Sequence, residues 1–542
     1  MTWTLVCEYA GRTFRPPLIA VPRIAERASF WRADSASLEV DVDFIDVVGI
    51  ARLVSQGYLP HSGTARLYRD AEETQLVVQG AWQSVEYGAI NTAATIRIGE
   101  SVADDLAVVP ASGDFLRRLN QDEATEAKET AYADAAEHGE VSPILALISA
   151  SIYANVSRIA EGRVGPMVFG APGTASRPGS PALFRDTVTD GGQWIVAMHP
   201  VAASTVTLWG PGPEGGLVSQ AGIAVYTVRD NAGRDVSIVK ASDLTGTQNS
   251  TGPDDELILG SGIQIDGEAE YYVSWTGGVA LPGGAGDVLL TLLSLSTLRV
   301  DWPAWQAVRD RLNVYGLAGY ADDEVSPASL ALEVIGSNLP IGSEHGPDGI
   351  RPTVWPFLDD QQGEAIGITL AVADRDPDTG TYPPGTSCVL DGGVRYTGST
   401  VSTATTISYA YDPSTTTYSR AVLVDERSSG HAAVAATLSA RRSAPAKRDT
   451  RWVASEAVAT ALALERLRAD SVPRRVVRLL CDASVYGWGA PLHLRAGMGV
   501  RLSVPSLHIA DELAHVSEIA WADPMMTVTV ELADGPLRAR GS

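Results

Sequence analysis

The stretch SLEVDVDF, residues 37–44, alternates apolar and polar side chains along its length. Because successive side chains of a β-strand point to opposite faces, this alternation predicts a strand with one buried face and one polar face. The polar face carries three carboxylates, those of Glu39, Asp41 and Asp43. We expect the apolar face to lie in a sheet core and the carboxylates to face solvent.

The same alternation occurs on both sides of this stretch within residues 1–110. The segments TWTLVCEY, TARLYRD, TQLVVQGAWQSVEYG and AATIRIGES each predict a strand, and turn residues such as Gly63 and Gly88 separate them. Such a run of strands closes naturally as a small β-barrel or sandwich. The C-terminal segment ends in MMTVTVEL, residues 525–532, which alternates in the same way. The chain is therefore predicted to begin and end with β-modules of similar size.

The 542 residues exceed what one hydrophobic core normally fills, since single cores stop growing near ~250–300 residues. We predict a multidomain, mainly β protein with α/β portions. Helices are expected after Asp301 and Ser326, which can each cap a helix with proline in its first turn. Another helix is expected in TRWVASEAVATALALERLRADSVP, with an apolar stripe of Val453, Ala457, Leu464 and Leu467. The predicted parts are a β-barrel module at 1–110, a helical connector at 111–165, a β-rich middle domain at 166–285, an α/β domain with short strands at 286–440, and a helix followed by a second β-barrel module at 441–542.

Composition excludes several classes of function. The chain has 41 basic and 65 acidic residues, a net charge of −24, which repels the phosphate backbone of nucleic acids. The cysteines, Cys7, Cys388 and Cys481, are too scattered for a disulfide framework or a zinc site. The apolar run at 288–298 is much shorter than the ~20 residues that a bilayer demands, so no stable membrane insertion is expected. No signal peptide is visible at the N-terminus, and we expect the chain to fold in a cytoplasm.

A Gly/Pro-rich stretch, EGRVGPMVFGAPGTASRPGSP at 161–181, has the glycine spacing of a phosphate-binding loop. That loop needs lysine and then a hydroxyl after its second glycine, but Ala171 and Pro172 follow Gly170. Proline also removes a backbone N–H that a phosphate would use. The stretch is therefore predicted to form turns and not a nucleotide site.

Acidic and basic residues elsewhere in the sequence are each compatible with more than one role. Asp374, Asp376 and Asp378 resemble the start of a calcium loop, but the glycine and glutamate that an EF-hand requires later are absent, so a hairpin turn is favoured. Glu39 and Asp41 lie about 6.8 Å apart if on one strand face, a spacing compatible with an inverting glycosidase. One basic cluster is a solvated linker or a docking site for an acidic partner. Its members are Arg441, Arg442, Lys447, Arg448 and Arg451.

Three segments together resemble bacteriophage tail hub proteins, which close the tail tube at its tip or baseplate. LYRDAEETQLVVQGAWQSVEYGAINTAATIRIGES at 67–101 resembles their early strand–hairpin region, and the segment at 492–532 is similar to their closing barrel. GRVGPMVFGAPGT at 162–174 is similar to the turn that starts the middle region in some siphophage tip proteins. The resemblance covers about half of the chain.

This resemblance implies a structural virion protein at the tail tip. Its expected partners are two further copies in a homotrimer, the distal tail or tube protein, the tape measure, and tip or fibre proteins. DNA would only pass through, and Glu39, Asp41 and Asp43 become candidate lumen-facing residues. No catalytic, cofactor-binding or metal-binding residue is expected. The alternative is a carbohydrate-active enzyme or glycan-binding tail protein, with tryptophan-bearing strands at 190–280 as a sugar platform and Glu39, Asp41 or the Asp374 cluster as acids.

Overall fold

The structure is a computed structural model that describes most of the chain. The predicted helical connector at 111–165 lies almost wholly outside the described residues. Asp376, Arg441 and Arg442 also lie outside them. The described residues are 2–28, 30, 38–99, 105–107, 165–185, 193–229, 235–244, 250–251, 257–258, 262–265, 269–323, 325–346, 348–355, 367–374, 378–379, 381–397, 402–425, 445–471, 474–490, 492–522 and 524–532.

The N-terminal region is a run of antiparallel strands, which confirms the strands predicted from alternation. Val40, Val42 and Phe44 are fully buried, as the period-two pattern requires. A short helix, α1 (Ile50–Ser55), follows the fourth strand and was not predicted. The strands are β1 (Thr4–Tyr9), β2 (Arg12–Phe14), β3 (Arg23–Arg27), β4 (Leu38–Ile45), β5 (Thr64–Tyr68), β6 (Leu76–Tyr87) and β7 (Ala93–Gly99).

The middle region is β-rich, as predicted, and centres on a seven-stranded sheet of order β12-β11-β18-β9-β10-β14-β13. Its core contains tryptophans that the alternation places inward. The strands are β8 (Met167–Phe169), β9 (Ser180–Arg185), β10 (Gln193–Ala197), β11 (Thr205–Pro211), β12 (Leu217–Ala224), β13 (Tyr226–Arg229), β14 (Asp235–Lys240), β15 (Ser250–Thr251), β16 (Leu257–Ile258), β17 (Gln264–Ile265) and β18 (Tyr271–Gly277).

Glycines in the stretch at 161–181 permit close backbone approaches. Gly170 has a φ of +64°, and a Cβ there would lie 2.2 Å from the Leu317 carbonyl oxygen. At Gly179 a Cβ would lie 2.1 Å from the Pro172 carbonyl carbon. Both positions therefore exclude any larger residue. The described part of the stretch, residues 165–181, contains β8 and turns into β9, as predicted.

Three helices and a hairpin follow, and both predicted helix caps are confirmed. The Asp301 side chain accepts a hydrogen bond from the Ala304 amide at 3.2 Å, and Ser326 accepts one from the Ser329 amide at 3.1 Å. The elements are α2 (Ala285–Leu295), α3 (Trp302–Leu312), β19 (Gly319–Ala321), α4 (Pro327–Gly336), β20 (Ile341–Gly346) and β21 (Gly349–Val354).

A helix covers a three-stranded sheet in the next region. The predicted helix is confirmed, but its buried face differs from the predicted stripe, because Ala457 is exposed and Val453 precedes the helix. Leu467 is buried as predicted, and Ala459, Leu462 and Ala463 complete the buried face. The elements are β22 (Thr369–Ala371), β23 (Cys388–Thr397), β24 (Ala404–Asp412), β25 (Thr417–Asp425), β26 (Pro445–Asp449) and α5 (Glu456–Asp470).

The C-terminal strands join the N-terminal strands in one sheet of 13 strands, through pairing of β3 with β29. Its main path is β2-β1-β5-β6-β7-β4-β3-β29-β30-β27-β23, and β28 pairs with β29 and β22. A single core contains buried side chains from both ends of the chain, such as Trp82 and Val528. The remaining elements are β27 (Arg474–Asp482), α6 (Ala483–Tyr486), β28 (Gly499–Val504), β29 (Ile509–Ala522) and β30 (Met525–Leu532).

Short 3₁₀ turns at Pro60–Ser62, Ala241–Asp243 and Pro505–Leu507 complete the described elements. None of the helices in the described part of the chain combines the length and the apolar character needed to cross a bilayer.

Candidate functional site

The side of β4 that carries Glu39, Asp41 and Asp43 continues across the neighbouring strands of the large sheet. We call this solvent-facing surface the polar face. β4 lies between β7 and β3, and the register places Asp41 beside Arg97 on one side and Arg23 on the other. The inward residues of β4 are buried, so the carboxylates of Glu39, Asp41 and Asp43 lie on the opposite, solvent-facing side. The structure thus brings these predicted residues together on one surface.

Arginines neutralise two of these carboxylates. Both oxygens of Asp41 accept from the Arg97 guanidinium, at 2.8 and 3.2 Å. Asp43 accepts from the Thr95 hydroxyl at 2.7 Å and lies 3.5 Å from the Arg23 guanidinium. The hydrogen bond and charge of Asp41, with a smaller contribution from exposed Glu39, raise the pKa of Arg97.

The same charge pairing continues beyond β3. Arg27 pairs with Glu518 of β29 at 3.0 Å, and Arg478 of β27 pairs with Asp391 of β23 at 3.0 Å. Between them Thr527 and Thr529 of β30 line a shallow depression of about 430 Å³. The polar face is therefore a mixed-charge surface and not a purely acidic one, which the sequence did not predict.

This pairing argues against the glycosidase alternative at these residues. Both oxygens of Asp41 accept from the Arg97 guanidinium on an open strand face, an arrangement typical of an ion pair and not of a general acid or base. The tryptophan platform is wrong as well, because Trp194, Trp209 and Trp275 are buried in the middle core. These rings contribute to folding and cannot stack on a sugar.

The remaining predicted residues are dispersed. Asp374 lies in an irregular segment and Asp378 in a turn, and no group of three or more metal-ligating side chains occurs within the described ranges. Residues 445–449, predicted as part of a linker, form β26, which carries Lys447 and Arg448. Arg451 pairs with Glu333 at 2.6 Å. The members of the basic cluster that the structure describes, Lys447, Arg448 and Arg451, therefore belong to folded segments.

Two features were missed because their residues are far apart in the sequence. Cys388 and Cys481 face each other on β23 and β27, with sulfurs 2.8 Å apart. Tyrosines from three elements line a pocket beside the seven-stranded sheet. Neither has a local sequence motif, because each depends on long-range strand pairing.

No protein-family profile matches the chain, and no curated protein sequence matches it. Solved structures similar to it include the 43 kDa tail protein of prophage MuSo2 from Shewanella oneidensis, with 8% identity, a TM-score of 0.36 and 98% coverage of both chains. A tail protein from Neisseria meningitidis MC58 has 8% identity, a TM-score of 0.36, and coverage of 98% of this chain and 96% of that chain. A chain of a native gene transfer agent virion has 12% identity, a TM-score of 0.35, and coverage of 70% and 86%. The similar structures therefore include proteins of phage tails.

Proposed function

We propose that this chain is a structural subunit of a bacteriophage-type tail, which forms a homotrimeric hub at the distal end of the tail tube. The observation that carries the proposal is the pairing of β3 with β29, which unites the two ends of the chain in one sheet. Each subunit then presents two adjacent β-modules, and three subunits present six. Such a ring matches a six-fold tube.

The polar face lines the lumen in this proposal. DNA must slide through a tail tip without binding, and binding to its backbone depends on unpaired cationic groups. On the polar face, Arg23, Arg27 and Arg97 each lie beside a carboxylate. A surface of paired charges remains hydrated and offers phosphates no net attraction. The subunit therefore serves as scaffold and conduit and not as an enzyme.

An exposed apolar patch near the end of β4 is the proposed contact between subunits. Ile19, Val47 and Ile90 are 45–51% exposed. Backbone hydrogen bonds link their loops, from the Ile19 amide to Asp43 and from the Asn91 amide to Asp46, both at 2.9 Å. Apolar burial is needed here because each chain carries −24 and like charges repel.

The proposed partners are the distal tail or tube protein, the tape measure, and tip or fibre proteins. Sedimentation of the purified chain across a salt series tests the oligomer. We expect mainly monomer at low salt and increasing trimer as salt screens the repulsion. Val47→Asp should abolish the trimer, whereas Glu214→Gln, on an exposed turn, should not. A stable stoichiometry other than three would refute the hub.

Cysteine labelling tests whether the polar face lines the lumen. The native cysteines, Cys7, Cys388 and Cys481, are fully buried and should not react in the folded protein. Glu39→Cys should react with a small maleimide in both monomer and trimer, but with a polymer-linked maleimide only in the monomer. Glu214→Cys, the control, should react with both reagents in both states. Reaction of Glu39→Cys with the polymer reagent in the trimer would place the polar face outside the lumen.

A further inference from the structure

A tyrosine-lined pocket lies where the seven-stranded sheet meets β19 and the turn between β24 and β25. Its volume is about 200 Å³. Tyr272, Tyr320 and Tyr411 line it from three different elements, together with the carboxylates of Glu270 and Asp322. The pocket is separate from the polar face, and no described lining residue is a lysine or arginine.

The polar groups of the pocket converge. The Tyr272 hydroxyl donates to Glu270 Oε2 at 2.5 Å. Burial, followed by the neighbouring Asp322 and Tyr411, raises the pKa of Tyr320, so its hydroxyl stays neutral at physiological pH. Arg451, whose guanidinium carbon lies 5.9 Å from the Tyr320 ring centre, is paired with Glu333. The pocket thus combines phenol hydroxyls, carboxylate acceptors and aromatic rings.

These groups select a class of ligand. Carboxylates without a cationic lining disfavour phosphate and other anions. A saccharide ring offers several hydroxyl donors for carboxylates and an apolar C–H face for tyrosine rings, which are both apolar and polar. The volume is below the ~300–1,000 Å³ of pockets for drug-sized ligands, which limits the ligand to about one ring.

We propose that this pocket binds a single neutral saccharide unit, with Glu270 and Asp322 accepting from its hydroxyls and the tyrosines contacting its ring. The site differs from the tryptophan platform considered from the sequence, because Tyr272 and Tyr320, although largely buried, line a cavity of about 200 Å³. It does not rest on the hub function. A monomeric chain suffices to bind the sugar, so the two proposals fail separately.

Saturation-transfer NMR of the full chain tests the proposal, with a panel of neutral methyl glycosides of hexoses, N-acetylhexosamines and deoxyhexoses. We expect at least one glycoside to bind, and Asp322→Asn or Glu270→Gln to raise its Kd at least tenfold. Glu214→Gln, the same kind of change on an exposed turn, should leave Kd unchanged. Tyr411→Phe, which removes one hydroxyl and keeps the ring, should weaken binding with little change in thermal unfolding.

Three outcomes would overturn the proposal. The first is the failure of every neutral glycoside to bind the folded wild-type chain. The second is binding that none of the three pocket variants weakens. The third is binding of tetramethylammonium without any glycoside, which would assign the pocket to an organic cation held by the aromatic rings.

Discussion

Removing the carboxylates of the polar face should turn it into a weak DNA-binding surface. In the triple variant Glu39→Gln, Asp41→Asn, Asp43→Asn, the guanidinium groups of Arg97 and Arg23 lose the partners that now lie 2.8 and 3.5 Å away. Two freed arginines that contact phosphates predict a slope of log K against log salt of about −2. Affinity should then fall by about tenfold between 50 and 200 mM salt.

Fluorescence anisotropy of labelled duplex DNA, measured on the monomeric chain at several salt concentrations, gives this slope. The fold should survive, because pairs this exposed contribute about 0.2–1 kcal/mol each to the free energy of unfolding. A matched control, Asp287→Asn, Glu465→Gln, Asp511→Asn, changes the net charge equally but frees arginines on separate elements. It should give weaker binding and a shallower slope. Wild-type binding at physiological salt, or equal slopes for the two variants, would refute the reasoning.

Four further predictions concern stability and the buried thiols. Burial lowers the pKa of His515 from 6.5 to about 3. As the pH falls below about 6.5, the unfolded chain binds a proton at this residue and the folded chain does not, so the free energy of unfolding decreases. His515→Gln should make this decrease between pH 7 and 5 smaller by about 2 kcal/mol, as measured by denaturant titration. Burial raises the pKa of Glu26 to about 7, so this residue increases the free energy of unfolding as the pH falls, which is opposite to the effect of His515. Glu26→Gln should therefore make stability fall more steeply with acidification. An unchanged dependence of stability on pH in both variants would contradict both assignments. Burial raises the pKa of the Cys7 thiol, and the hydrogen bond with Cys388, followed by burial, raises the pKa of the Cys481 thiol. A thiol reagent should therefore modify cysteine only after unfolding, and rapid labelling of the native protein would be inconsistent with the packing. Ser326→Ala should cost about 1 kcal/mol by removing the cap of α4, whereas the exposed Ser294→Ala should cost little, as thermal unfolding can check.

Local patterns in the sequence were sufficient for most individual elements. Alternation predicted β4 and β30 because the side-chain period of a strand depends only on its own residues. The caps at Asp301 and Ser326 were predictable because a cap bonds to an amide three residues away. The same alternation placed Glu39, Asp41 and Asp43 on one face of β4.

Only the tertiary structure determines which strands and side chains lie next to each other. Arg97 is 56 residues from Asp41, and Arg27 is 491 residues from Glu518, so no local pattern indicates either pair. The tyrosine pocket and the facing Cys388 and Cys481 likewise depend on strand order and register. Register is set by the burial of whole strand faces against distant partners, and a shift by one residue would reverse every side chain. The sequence therefore determined which faces are polar, whereas long-range pairing determined that the polar face is neutralised.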